Sequence, residues 1–148
     1  MRLTLHTDYA LRMLIYAALR PERFCTVSDV AQAYGLSRNH LLKVAQSLRE
    51  HGFIETIRGR SGGIRLEREP ETIGIGALVR LIEDDFALVE CMQAQGNQCV
   101  ISPCCKLQKM LSEALCAWLA VLDTYTLADI LHDRDQFRFL LNIETTAA

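Results

Sequence analysis

The chain has 148 residues, half of them hydrophobic, a length that predicts one domain able to bury a core without disulfides or structural metals. The apolar run at residues 13–19 is too short to span a membrane and has no cleavage site after it, which predicts a cytoplasmic protein without a signal peptide. Residues 1–70 carry eleven basic and seven acidic side chains, whereas residues 71–148 carry five and eleven. We therefore expect only the first half to face an anionic partner.

Apolar side chains recur at helical spacing over residues 7–19, which predicts an amphipathic helix. Thr7 is its expected N-cap, and Pro21 follows its expected end. Asp8 then lies in the first turn, where a carboxylate stabilises the helix dipole. From the local sequence alone, this structural role is the simplest interpretation of Asp8.

Residues 26–52 predict two helices around a tight turn, the pattern of a helix-turn-helix. Ser28 is expected to cap the first helix, and Gly35 to supply the left-handed residue that ends it. The apolar side chains of the second helix, Leu42 among them, are expected to face inward. The polar side chains at the start of the second helix, where a recognition helix reads bases, are Ser37, Arg38, Asn39, His40 and Lys43.

Residues 53–57 and 64–66 predict the two strands of a hairpin with a basic, glycine-rich turn. Arg58 and Arg60 supply positive charge there, and Gly62 lets the backbone approach a phosphate. A hairpin directly after a recognition helix is a wing, so the combination predicts binding to double-stranded DNA. For the recognition helix taken alone, simple solvation of its polar residues is an equal alternative.

Helical spacing also predicts a helix at residues 74–83, packed beneath the winged domain, and a longer one at residues 106–122. The longer helix carries a broad apolar stripe that a small winged domain cannot cover. We therefore predict a dimerisation helix, with packing inside one chain as the alternative. Thr126 is expected to cap a further short helix, and residues 133–148 give no clear pattern.

The predicted fold is mainly α with a small β-hairpin: a winged helix-turn-helix joined to a long dimerisation helix. It divides into the DNA-binding domain (1–83), a cysteine loop (84–105), and the dimerisation helix with its tail (106–148). No Ser/His/Asp or Cys/His grouping supports a catalytic set, so we predict that the chain is not an enzyme. Cys25 and Cys116 stand apart from the other cysteines, and each is interpreted as a small packed side chain.

Four of the six cysteines fall within residues 91–105, in a polar stretch rich in Gln, Asn and Gly. Clustered thiols there favour a metal or cluster site over a disulfide or buried thiols. Cys91, Cys99 and the adjacent Cys104 and Cys105 do not form the paired knuckles typical of zinc. Three separated thiolates instead match an iron–sulfur cluster with one incompletely protected iron.

Five motifs of the chain are informative when taken together. They are residues 3–12 (LTLHTDYALR), 37–41 (SRNHL), 58–66 (RGRSGGIRL), 102–107 (SPCCKL) and 125–129 (YTLAD). These motifs resemble a bacterial family of winged-helix iron–sulfur repressors, and within it the nitric-oxide-sensing members. The similarity covers almost the whole chain, and the joint occurrence of the motifs is more specific than any single one.

The resemblance implies a homodimer with an iron–sulfur cluster, [4Fe-4S] in preference to [2Fe-2S]. It implies that Cys91, Cys99 and Cys105 bind the cluster as metal ligands, with Asp8 of the partner subunit completing the set. A relative that regulates cluster assembly has a histidine where this chain has Gln108, which argues against that relative.

The resulting hypothesis is a cytoplasmic transcriptional repressor that leaves its pseudo-palindromic operator when nitric oxide attacks the cluster. Two alternatives stay open, a related regulator of iron or iron–sulfur homeostasis and a thiol or zinc redox switch without iron. An enzyme with a cysteine nucleophile is a third class, for which the sequence offers no supporting residues.

Overall fold

The computed structural model describes residues 2–57, 59, 62–93 and 95–143. Strands β1 (Ile54–Ile57) and β2 (Gly63–Leu66) form an antiparallel hairpin in which Ile54 pairs with Leu66 and Ile57 with Gly63. This hairpin in a largely helical chain confirms the predicted fold class. The helices are α1 (Leu5–Ala18), α2 (Val27–Tyr34), α3 (Arg38–Glu50), α4 (Ile75–Ile82), α5 (Leu107–Leu122), α6 (Leu127–Ile130) and α7 (Arg134–Leu140), with short 3-10 turns at Pro70–Thr72 and Glu90–Met92.

The first helix starts at a different residue from the one that the sequence predicted. Thr4 is the N-cap of α1, and its hydroxyl accepts a hydrogen bond from the backbone N–H of Thr7 at 3.3 Å. The prediction that Thr7 caps the helix was therefore wrong. Thr7 is fully buried in the first turn, where its hydroxyl donates to the carboxylate of Glu83 at the end of α4. A partner 76 positions away in the chain gives no local sequence signal.

The hydrophobic core forms where α1, α3 and α4 meet beneath the hairpin. Its α4 contribution confirms the prediction that this helix packs under the winged domain. Leu127 and Ile143 also reach this core, so the chain returns to the winged region after α5. The largest fully buried side chains are Met13, Leu14, Leu19, Val30, Leu41, Val44, Leu48, Ile54, Ile73, Leu78, Val79 and Leu127.

Helix α5 is the longest of the described helices, yet none of its sixteen residues is buried. Trp118, Leu119 and Leu122 are partly covered by the core, whereas Met110 and Val121 are 63% and 57% exposed. Part of the predicted apolar stripe therefore packs within the chain, and part of it faces outward. Across the described residues, no helix is both long enough and apolar enough to cross a membrane.

Candidate DNA interface and cysteine site

The helix-turn-helix is set by a capping box and a left-handed glycine. Thr26, the N-cap of α2, exchanges hydrogen bonds with Asp29 in both directions, at 3.0 and 2.8 Å. The prediction that Ser28 is the cap was therefore wrong. Gly35 ends α2 with φ at +64°, as predicted, because a left-handed residue there costs glycine little.

The start of α3 presents every polar residue that the sequence singled out. Its inner face is buried, while the side chains at its opening are exposed. Ser37 occupies the predicted N-cap position, but its hydroxyl makes no capping hydrogen bond. The exposed polar residues at this end are Ser37, Arg38, Asn39, His40 and Lys43.

Ser28 contacts this surface instead of capping α2. The guanidinium Nε of Arg38 donates to the Ser28 hydroxyl at 3.0 Å, which ties the first helix of the motif to the second. The two terminal nitrogens of Arg38 can still donate to a base or phosphate. Ser28 therefore positions a predicted DNA-binding residue, a role that becomes visible only once α2 and α3 are packed.

Leu42 is 42% exposed, so the prediction that it faces the core was wrong. The core-facing residues of α3 are its neighbours Leu41, Val44, Ala45 and Leu48. Gln46 lies one turn after Leu42 and is also exposed. Its amide donates to the Glu50 carboxylate at 2.9 Å, which directs the Gln46 side chain toward the C-terminal end of α3.

The wing is anchored to the helix-turn-helix through Cys25. The backbone of Cys25 pairs with Ile64 of β2 by two hydrogen bonds of 3.0 and 2.7 Å. A Cβ atom at Gly63 would lie 2.6 Å from the Cys25 carbonyl oxygen, so only glycine fits beside it. In the turn, the N–H of Gly62 donates to the Gly59 carbonyl at 3.1 Å. Two predicted DNA-binding residues, Arg58 and Arg60, lie outside the described residues.

The two isolated cysteines have different surroundings. Cys25 is buried, as predicted, and burial raises the pKa of its thiol to about 12, which makes it a poor nucleophile. Cys116 is exposed on α5, so its interpretation as a packed side chain was wrong for the single chain.

The cysteine loop is ordered by hydrogen bonds between side chains and backbone. Asn97 accepts from the N–H of Cys99 at 3.0 Å and donates to the Ser102 hydroxyl at 3.0 Å. Glu90 accepts from the N–H of Gln98 at 2.6 Å. At the other end, the Gln108 amide donates to the carbonyl of Cys91 at 2.7 Å, joining the first turn of α5 to the loop.

Cys91, Cys99 and Cys105 are each half-buried, whereas Cys104 is exposed. This difference separates the three predicted ligands from the adjacent fourth thiol. Among the residues described, no three Cys, His, Asp or Glu side chains converge on a point where a metal ion could bind. The chemistry of three free thiols in a polar loop nevertheless fits an iron–sulfur cluster. The ligand assignment itself stays a prediction.

Asp8 forms a two-point ion pair with Arg12, one turn along α1. The Arg12 nitrogens lie 3.0 and 2.8 Å from the two carboxylate oxygens, and both side chains are about two-fifths exposed. This hydrogen bond raises the pKa of Arg12. The Arg12 guanidinium also lies over the ring of Tyr34, 5.8 Å from its centre, at the end of α2. Asp8 is thus connected to the helix-turn-helix through one arginine.

Glu83 joins the start of α1 to the start of the cysteine loop. Its carboxylate accepts from the backbone N–H of Thr4 at 3.2 Å and from the Thr4 hydroxyl at 3.0 Å, besides the bond from Thr7. A carboxylate at a helix N-terminus also stabilises the helix dipole. The sequence alone did not identify Glu83 as part of the site, because its partners lie more than 70 positions away.

Comparisons with known proteins agree with this architecture. Residues 3–133 match the family model of Rrf2, described as an iron-dependent transcriptional regulator. The HTH-type transcriptional regulator NsrR of Bacillus subtilis is 51% identical over 145 residues, which cover 97% of this chain and 99% of the relative. NsrR of Geobacillus kaustophilus is 51% identical over 142 residues, covering 95% and 97% of the two chains.

A solved structure shows the same fold. CymR, the global cysteine regulator of Bacillus subtilis, is 26% identical with a TM-score of 0.66, and the match covers 88% of this chain and 95% of that one. The resemblance found in the sequence motifs is therefore confirmed. The chain belongs to the Rrf2 family of transcriptional regulators.

Proposed function

We propose that this chain is a homodimeric repressor that binds a pseudo-palindromic operator, holds an iron–sulfur cluster and releases DNA in response to nitric oxide. The observation that carries the proposal is the connection, within one chain, of an exposed recognition-helix start to a loop with three half-buried thiols. Nitric oxide as the signal rests on the family resemblance of the sequence motifs.

Three cysteines and one carboxylate are the proposed cluster ligands: Cys91, Cys99 and Cys105, with Asp8 of the partner subunit. When bound, a [4Fe-4S] cluster would supply an iron that lacks a cysteine ligand, and this is the site at which we expect nitric oxide to react. A carboxylate is a harder ligand than a thiolate and is expected to exchange more readily at such an iron.

The contacts of Asp8 supply a route from the cysteine site to DNA. As a metal ligand the carboxylate would share its charge between the iron and Arg12, which weakens its two-point ion pair with Arg12. A change in the group that the Asp8 carboxylate binds would therefore alter its ion pair with Arg12. The Arg12 guanidinium lies over Tyr34, immediately before the turn of the helix-turn-helix. Glu83 adds a second connection, because it holds the first turn of α1 to the start of the cysteine loop.

The exposed side of α5 supports the homodimer. Leu107, Met110 and Val121 are 48–63% exposed on a helix of sixteen residues, and a second copy of the same helix would cover them. A symmetric dimer with two recognition helices requires half-sites roughly 10 to 10.5 bp apart, or a multiple of that distance.

Anaerobic purification followed by iron and sulfide assays and an absorbance spectrum tests the cluster. We expect Cys105→Ala to lose iron and sulfide, and Cys104→Ala to retain them as the matched control. Gel-shift assays before and after addition of a nitric oxide donor should show loss of binding only for protein that contains the cluster. A colourless protein that contains zinc alone would contradict the proposal and favour the redox-switch alternative.

The DNA interface is tested by comparing a selected operator with a random duplex. Arg38→Ala and Asn39→Ala should weaken binding to the operator more than to the random duplex, because contacts with base edges discriminate between sequences. Arg60→Ala should weaken both, since phosphate contacts do not discriminate. Equal losses on the two duplexes for all three variants would contradict this assignment.

A further inference from the structure

The exposed start of α3 contains one apolar side chain among polar and basic ones. Leu42 is 42% exposed and lies three residues after Asn39, on the same face of the helix, while Asn39 and Lys43 at i and i+4 are neighbours of each other. Leu42 therefore stands within the surface that is proposed to enter the major groove. A single exposed leucine is common on protein surfaces, so its position matters more than its exposure.

The hydrogen bonds around Leu42 leave it on an accessible part of this surface. Arg38 is held on one side by Ser28, and Gln46 is directed away by Glu50. Within the described residues, Asn39 and Lys43 make no side-chain hydrogen bond or ion pair, so both can turn to DNA. Among the described residues, Leu42 keeps 42% of its surface exposed.

The major groove offers one apolar group for such a side chain. Of the four bases, only thymine carries a methyl group there, and apolar side chains recognise it by contact. We infer that Leu42 reads a thymine methyl group in each operator half-site, next to the bases contacted by Asn39 and Lys43. This inference rests on the proposed DNA-binding function and adds a specificity-determining residue to it.

The experiment uses the full-length protein, loaded with its cluster under anaerobic conditions, and a duplex selected by that protein from a random pool. Each thymine of one half-site is replaced in turn by deoxyuridine, which removes only the methyl group. For the unsubstituted protein, we expect one position at which this replacement weakens binding about fourfold, the equivalent of one buried methyl group.

The matched variants are Leu42→Ala and Leu140→Ala, each of which truncates an exposed leucine. Leu42→Ala should bind the thymine and deoxyuridine duplexes equally at the sensitive position, while Leu140→Ala should retain the fourfold difference. Leu42→Met keeps an apolar side chain and should retain most of the fourfold difference between the two duplexes.

The possible failures are distinguishable. If no duplex is selected, the proposed DNA-binding function is overturned, and this inference with it. If a duplex is selected but no thymine is sensitive, or Leu42→Ala keeps the sensitivity of the unsubstituted protein, only the role of Leu42 is overturned.

Discussion

Helices α4 and α5 contact each other and are both apolar in sequence, yet their surroundings differ. Five of the eight residues of α4 are buried, whereas none of the sixteen residues of α5 is. Apolar periodicity thus predicts that one face of a helix is buried, but it does not identify the part of the protein that buries it. For α4 the cover is the core of its own chain, and for the outer side of α5 we propose a second copy.

The same contrast separates the winged region from the cysteine loop. The winged region is held by buried leucines, isoleucines and valines, whereas the loop is held by exposed hydrogen bonds such as those of Asn97 and Glu90. Exposed hydrogen bonds contribute only about 0.5–1.5 kcal/mol each, so local opening of the loop costs less than opening of the core. The cysteine loop, the proposed sensor, can therefore rearrange while the winged region stays folded.

The largest expected effect comes from truncating one leucine in the core. Leu78→Ala should lower the free energy of unfolding by about 2–5 kcal/mol, because the fully buried side chain of Leu78 leaves a cavity. Urea denaturation of the metal-free protein measures the loss. Met110→Ala should change the unfolding free energy of the single chain by less than about 0.5 kcal/mol.

A second measurement on Met110→Ala tests whether the outer face of α5 forms the dimer interface. Sedimentation equilibrium should show a weaker dimer for Met110→Ala, because it truncates a side chain on the outer face of α5. An unchanged dimer dissociation constant would place the dimer interface elsewhere.

A smaller loss of unfolding free energy is expected for a substitution where α4 packs against the end of α5. A Cβ atom at Gly76 would lie 2.9 Å from the backbone nitrogen of Asp123, so the two helices would have to move apart. We expect Gly76→Ala to cost about 1–3 kcal/mol in thermal or urea unfolding. Gly74→Ala is the control, because its nearest contact would be an ordinary 3.9 Å. Equal stabilities of the two variants would show that α4 does not pack tightly against the end of α5.

Substitutions at the start of α2 should lower the free energy of unfolding still less. Thr26→Ala should lower stability by about 1 kcal/mol, since it removes one half of the capping box. Ser28→Ala should change stability by less than about 0.5 kcal/mol. It should instead weaken operator binding roughly two- to fivefold, the value of one hydrogen bond that holds Arg38. The reverse pattern would restore Ser28 as the cap.

A smaller loss of stability than for Thr26→Ala is expected for Asp8→Ala. Asp8→Ala should lower stability by only about 0.3–1 kcal/mol, as for other acids in the first turn of a helix. It should leave a folded dimer that still assembles a cluster on three cysteines, but with an altered absorbance spectrum and altered DNA affinity. An unchanged spectrum together with unchanged DNA binding would reduce Asp8 to its structural role.

The sequence predicted those elements whose causes are local. Helical spacing placed α1, α4 and α5, and Gly35 and Thr126 were correctly assigned because each acts on residues within a few positions. The prediction that Thr7 caps α1 was wrong because the Thr7 hydroxyl binds Glu83, which is 76 positions away in the chain.

Other features depend on packing or on partners. The exposure of Leu42 depends on the angle at which α3 packs, which a list of apolar positions does not give. Helix α7 was not predicted, although Asp133 caps it and Phe137 and Leu141 lie one turn apart, because seven residues give too short an apolar pattern. The ligand set proposed for the cluster includes a residue of a second subunit, so neither the sequence nor one folded chain assembles it.

The close approach of Gly63 to Cys25 bears on the proposed release of the operator. The main chain of Cys25 forms an isolated antiparallel bridge with Ile64 of β2, which ties the wing to the start of the helix-turn-helix in one subunit. We therefore expect the footprint of one subunit on its half-site to be the same in the sensing and resting states. Regulation would then change the distance and angle between the two footprints, and operators with altered spacer lengths would respond differently to the signal.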